Sequence, residues 1–182
     1  MIRTHIFLVV VLVGMGLGAS VLFTSPSQVL DSGTSDTVAA VPQRIPPIGW
    51  KLYTSPEYPF SLFYPEEFEV SFFDEGGRAG TITFEDSVGE RGFQIFIVPH
   101  VGEEVGEERF LQDVPSGVRI NVQDATVDGA VGAYFNSYDL TLGTTTEIWF
   151  ARGGFLYEVT TMEPLTPLIE EVMQSWRWSV VL

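Results

Sequence analysis

The sequence contains no cysteine, two histidines and a single lysine, Lys51. Without a thiol there is no disulfide, no thiolate metal site and no cysteine nucleophile. The two imidazoles, His5 and His100, are too few and too far apart in the chain to build a serine–histidine pair or a histidine-rich metal site. Positive charge is scarce as well: nine Lys and Arg stand against 24 Asp and Glu, a net charge of −15. All the acidic residues and eight of the nine basic ones lie beyond residue 23, which leaves −16 on that part. Such a surface repels phosphate backbones and anionic headgroups, which sets nucleic acid aside as a partner. It attracts cationic protein patches and divalent ions, and it also serves simply to keep a domain soluble.

Charge is absent altogether from Ile6 to Phe23, eighteen consecutive positions behind Arg3. A membrane-spanning helix needs about 20 apolar residues with a lower limit near 17, whereas the apolar region of a signal peptide runs about 7–15. The length fits a retained signal-anchor, while Gly16, Gly18 and Ser20 supply small residues for a cleavage site, so both fates stay open. Arg3 is the only fixed positive charge near either end of the run, so the positive-inside rule keeps it in the cytoplasm and sends residue 24 onward outside. The expectation is a single-pass protein of the cytoplasmic membrane, held through residues 6–23, or a secreted one if that segment is cleaved. Gly14, Gly16 and Ala19 match the spacing of a dinucleotide loop, but Pro26 and a polar stretch stand where that motif requires a helix. Gly14 and Gly18 also form a GxxxG pair able to bring two membrane helices together.

Residues 24–48 are rich in Ser, Thr, Gly and Pro without a hydrophobic period, the composition of a flexible linker stiffened by Pro42, Pro46 and Pro47. Residues 49–182 leave 134 positions for one globular domain. A domain of that size buries about two thirds of its unfolded surface and needs no disulfide to close its core.

The dominant period in this domain is two. Phe60, Leu62 and Tyr64 form a strand bounded by Pro59 and Pro65, with Trp50, Leu52 and Tyr53 before it across a Ser-Pro-Glu turn. Ile82 and Phe84, then Phe93, Ile95 and Ile97, read as neighbouring antiparallel strands. Asp74-Glu75-Gly76-Gly77 reads as a gap between elements. Asp128-Gly129 marks a hairpin between Val122–Val127 and Ala130–Leu142, and Gly153-Gly154 a tight turn between two further strands. Leu165, Leu168, Ile169, Val172, Met173 and Trp176 fall on one face of a helix, which leads into a terminal strand from Trp178. A shorter helix from about Glu104 to Asp113 buries Phe110 and Leu111 and keeps its acids at the N-terminal end, where the helix dipole favours them.

The opening Leu52-Tyr-Thr-Ser-Pro-Glu-Tyr-Pro-Phe-Ser-Leu-Phe-Tyr-Pro65 resembles the first hairpin of PsbP-like domains. The close, Gly154-Phe-Leu-Tyr-Glu-Val-Thr160, a helix, then Ser175-Trp-Arg-Trp178, is similar to that family's last strand, helix and closing strand. The resemblance covers nearly all of residues 49–182 and implies an α+β domain, an antiparallel sheet flanked by helices as an α/β/α sandwich. The family's namesake is an extrinsic subunit of the photosynthetic oxygen-evolving complex, and its relatives are mostly binding subunits without catalysis. Lys51 as the only lysine leaves no basic docking surface, so the photosynthetic role does not carry over.

Glu103, Glu104, Glu107 and Glu108 are the one acidic cluster with a spacing that suits a hard cation such as calcium. They lack the alternating Asp/Asn and central glycine of a calcium loop, and a helix start stabilised by its dipole accounts for the same pattern. No other cofactor is implied and no catalytic residue is assigned. The resulting expectation is a membrane-tethered extracytoplasmic binding module, without catalysis, that serves an envelope protein as accessory or assembly subunit. Trp50, Tyr134, Tyr138 and Trp149 are its candidate anchors, because aromatic residues dominate interface energetics. The alternative is a small-molecule or lipid site, or a hydrolase cleft built on paired carboxylates.

Overall fold

The computed structural model describes residues 44–114, 116–140 and 143–179. The anchor or signal segment expected over residues 6–23, the linker up to residue 43 and the last three residues of the chain lie outside the described residues.

The described strands are β1 (Trp50–Thr54), β2 (Phe60–Pro65), β3 (Glu69–Gly76), β4 (Ala79–Glu85), β5 (Gly92–Pro99), β6 (Ile120–Val127), β7 (Ala130–Asp139), β8 (Gly143–Arg152), β9 (Phe155–Met162) and β10 (Arg177–Trp178). Helix α1 (Glu107–Asp113) falls between β5 and β6, and α2 (Thr166–Gln174) between β9 and β10. The strands form two antiparallel sheets, a three-stranded one in the order β1-β2-β10 and a seven-stranded one in the order β3-β4-β5-β9-β8-β7-β6.

Successive side chains on a strand point to opposite faces, so the register assigns each residue of the large sheet to a side. One face carries Ile82, Phe84, Phe93, Ile95, Ile97, Ile148, Phe150, Tyr157 and Val159, and packs with Phe60 and Leu62 of the small sheet and Ile169, Val172 and Met173 of α2. Trp176, one residue past the turn that ends α2, stacks on Phe60 with ring centroids 4.0 Å apart and planes 10° from parallel. The other face carries Phe135, Trp149 and Leu156, covered by Phe110 and Val114 at α1. The helices therefore lie on opposite sides of the large sheet.

Three elements differ from expectation. The segment Asp74 to Gly77 is not a gap: β3 runs through to Gly76, bulged between Asp74 and Gly76, with the Gly76 amide donating to Asp74 Oδ1 at 2.9 Å. Its exposed position at the sheet edge tolerates acids that a buried strand would not. Helix α1 starts at Glu107 rather than Glu104, because Gly106 at its cap is extended, with φ −75° and ψ 159°. Leu165 belongs to a 3-10 turn (Glu163–Leu165) ahead of α2 rather than to the helix itself. The Asp128-Gly129 turn forms where expected, with φ of 44° and 84°, the positive values a two-residue hairpin needs.

Candidate functional site

The four candidate anchors separate in space. Trp50 stands on β1, partly buried against the main core. Trp149 is buried, 2% exposed, and stacks on Phe110 at 5.0 Å, so it is not available as a surface anchor. Its place on β8 points it at α1 rather than at solvent. Tyr134 and Tyr138 lie four residues apart on β7 and therefore share a face, the one that also carries α2. Tyr134 is partly buried against the core and Tyr138 is 48% exposed.

Next to these tyrosines the sheet ends. Among the described residues β6 is its last strand, and all but two of the residues of β6 are exposed. The register puts Ile120 opposite Asn136 and Ala125 opposite Gly132, on the face of Tyr134 and Tyr138. Ile120 is 51% exposed and lies diagonally beside Tyr138. A cleft of about 240 Å³ opens between this edge and α2, lined by Ala125, Tyr134, Ile148, Glu170 and Met173 among others, and no basic side chain lines it. A second cleft, of about 150 Å³, lies outside α1 beside Glu107 and Arg119. Both are smaller than the 300 Å³ or so at which small-molecule sites begin.

The expected metal cluster is dispersed. Glu103 and Glu104 are exposed in a bend, while Glu107 and Glu108 form the first turn of α1. Glu107 is paired with Arg119, and His100 Nε2 lies 2.9 Å from the Glu104 carbonyl oxygen. Among the described residues, no group of three or more acidic or imidazole side chains is placed to hold a metal ion.

A different acidic group lies beneath α1. Glu147 on β8 is buried and accepts from Thr145 Oγ1 at 2.7 Å, Thr160 Oγ1 at 2.7 Å and Trp149 Nε1 at 3.2 Å. Burial drives its carboxyl up to about 7, against the three donors and helped by the charge of Asp139. Glu158, on β9 and equally enclosed, is raised well above the ordinary range by burial and then by Asp113. Arg109 of α1 is paired with Asp113 and lies 3.6 Å from Glu158. Neither glutamate lines either cleft. The group is built to be closed, with α1 as its cover.

The alternation of the strands hides these two glutamates in the sequence. They alternate with Ile148, Phe150, Tyr157 and Val159, so period two assigns them to a solvent face. The signal for their burial is that Trp149 and Leu156 share their phase.

No protein-family profile and no curated protein matches the sequence. Solved structures do match. The solution structure of a cyanobacterial PsbP, CyanoP from Synechocystis, superposes with a TM-score of 0.53 at 16% identity, covering 80% of this chain and 98% of that one. The fold is PsbP-like. A crystal structure from Bacteroides thetaiotaomicron matches with a TM-score of 0.51 at 19% identity over 74% of this chain. The match spans only half of the Bacteroides protein. At these identities the PsbP-like fold is what is shared, and function must come from the site.

Proposed function

We propose that this chain is a membrane-tethered extracytoplasmic binding module that performs no catalysis and serves as an accessory or assembly protein of an envelope complex. The observation that carries this reading is the pair Tyr134 and Tyr138, aligned on one face of β7 beside the exposed strand β6. Exposed aromatic and aliphatic side chains next to an unpaired edge offer both the anchors and the backbone groups that a protein partner uses. The net charge of −15 favours a cationic partner. The run Ile6 to Phe23 supplies the tether.

The test is in-cell crosslinking of the full-length protein, with mass spectrometry of what copurifies, repeated with Tyr134→Ala and Tyr138→Ala together. A recurrent partner that is lost from the double variant is the expected result. A partner retained undiminished moves the interface elsewhere, and no recurrent partner at all removes the reading.

A further inference from the structure

We propose that β6 accepts an extended, basic and apolar segment of another protein as an eighth strand of the large sheet. This rests on the binding reading above and names the kind of partner that the surface takes.

Three observations converge on the edge. First, among the described residues β6 pairs only with β7 and no strand lies along its other side, and its residues from Ile120 to Thr126 are exposed apart from Ala125. Added main-chain hydrogen bonds give such a complex its affinity, and pockets for alternate side chains give it specificity. Second, the pocket is present: the cleft between this edge and α2 has an apolar floor in Ala125, Tyr134, Ile148 and Met173. An eighth strand beside β6 would send every second side chain to that face, because strands alternate with period two. Third, a carboxylate stands exposed on each face of this edge: Glu170 at the rim of the cleft, and Asp124 on β6 opposite Ala133.

The charge decides the occupant. A second copy of this chain brings the same edge, so Asp124 would meet acidic surface again and two bodies of charge −15 would have to associate. A segment with lysine or arginine between large apolar residues meets the opposite situation. Its apolar side chains enter the cleft while its cations, alternating with them, point to the opposite face, where Asp124 stands opposite Ala133 of β7. The bulge between Ile120 and Gln123, with Asn121 at φ 56°, twists the start of β6 and restricts regular pairing to the stretch from Gln123 onward. The docked strand is therefore short.

The experiment uses the full-length protein in nanodiscs of zwitterionic lipid and a labelled nonapeptide of alternating lysine and valine, followed by fluorescence anisotropy. A second nonapeptide of the same sequence is N-methylated at alternate residues so that one of its edges cannot donate. Strand addition predicts binding of the first peptide and at least about tenfold weaker binding of the second, the loss of a few hydrogen bonds. Ala125→Arg, which fills the cleft with a like charge for the peptide, should weaken binding by a similar factor. Asp124→Asn, exposed on β6 on the face to which the lysines point, should lower it about twofold and flatten its salt dependence.

Equal binding of the two peptides, or none of either, overturns the proposal. So does a dimer in analytical ultracentrifugation that Ala125→Arg abolishes, since a second copy would then own the edge. Any of these leaves the crosslinking result with the tyrosine variants standing or falling separately, so failure of the strand-addition mode is distinguishable from failure of the interface.

Discussion

The Thr160 hydroxyl on β9 donates to Glu147 Oε2 on β8 at 2.7 Å, and with Thr145 and Trp149 it supplies three donors to a buried carboxyl. No cation is among these three partners. The protonated form is thereby favoured by burial and the ionised form by the donors, and the balance lies near neutrality.

Stability should therefore depend on pH in a defined window. The folded-state value of Glu147, about 7, lies above its ordinary 4.5, so its contribution is fully present below pH 4.5 and is lost as pH rises to about 7. The span corresponds to roughly 3 kcal/mol, and Glu158 shifts in the same direction. Urea denaturation from pH 4 to 9 should show the wild-type midpoint falling through this window, with a clearly smaller slope in Glu147→Gln. An identical slope in the variant would place the titration elsewhere.

Arg109 is the guanidinium that faces Asp113 and Glu158 among the described residues. Arg109→Met leaves Asp113 without its partner near an enclosed glutamate and should cost about 3 kcal/mol, the usual penalty for breaking a buried pair from one side. Adding Asp113→Asn should restore much of the loss. Trp149 fluorescence reports the event directly, because α1 covers that indole.

Trp176 has two roles that substitutions separate. It stacks on Phe60, yet its Nε1 is enclosed with no acceptor among the described residues. Trp176→Ala should destabilise by about 4 kcal/mol, as large aromatic truncations do. Trp176→Phe keeps a ring against Phe60 and removes an unsatisfied donor, so its cost should be less than half of that. Thermal or chemical denaturation of both variants decides.

Gly132 admits no side chain. A Cβ there would lie 2.1 Å from the Trp149 carbonyl oxygen and 2.7 Å from Phe150 Cβ, both on the paired strand β8. Gly132→Ala should cost about 2 kcal/mol by forcing β7 and β8 apart. It should also loosen the Tyr134 face, seen as faster amide exchange along β7.

Calcium should find no site in the Glu103 to Glu108 segment. Glu107 is engaged by Arg119, and the remaining acids point from a bend and a helix turn without converging. Calorimetry with millimolar calcium on the full-length protein should show no saturable heat. Saturable heat abolished by Glu104→Gln and Glu108→Gln together would reinstate the ion.

Most of the strand positions and α2 are legible in the sequence, because exposure of one face and burial of the other writes period two or period 3.6 into the chain. Phe60 to Pro65, the Asp128-Gly129 hairpin and the apolar face of α2 are of this kind. β3 was not legible: as an exposed edge strand with a bulge, it has little alternation to display. Among the site residues, Tyr134 and Tyr138 were recognisable as aromatic residues on one strand, but Trp149 was indistinguishable from them until α1 was seen to cover it.

What the sequence determined by itself is therefore the local chemistry: an acidic domain without thiols, an uncharged apolar run from Ile6 to Phe23, mostly β elements, and the turns where glycine accepts positive φ. Which strand neighbours which was decided only in three dimensions. Periodicity records that a face is apolar and does not record what lies against it. The division into a three-stranded and a seven-stranded sheet, the open edge at β6 and the enclosure of Glu147 and Glu158 all depend on contacts between residues distant in the chain. Those contacts form because burying two apolar faces, each under its own helix, removes more surface from water than any single strand can signal in its own sequence.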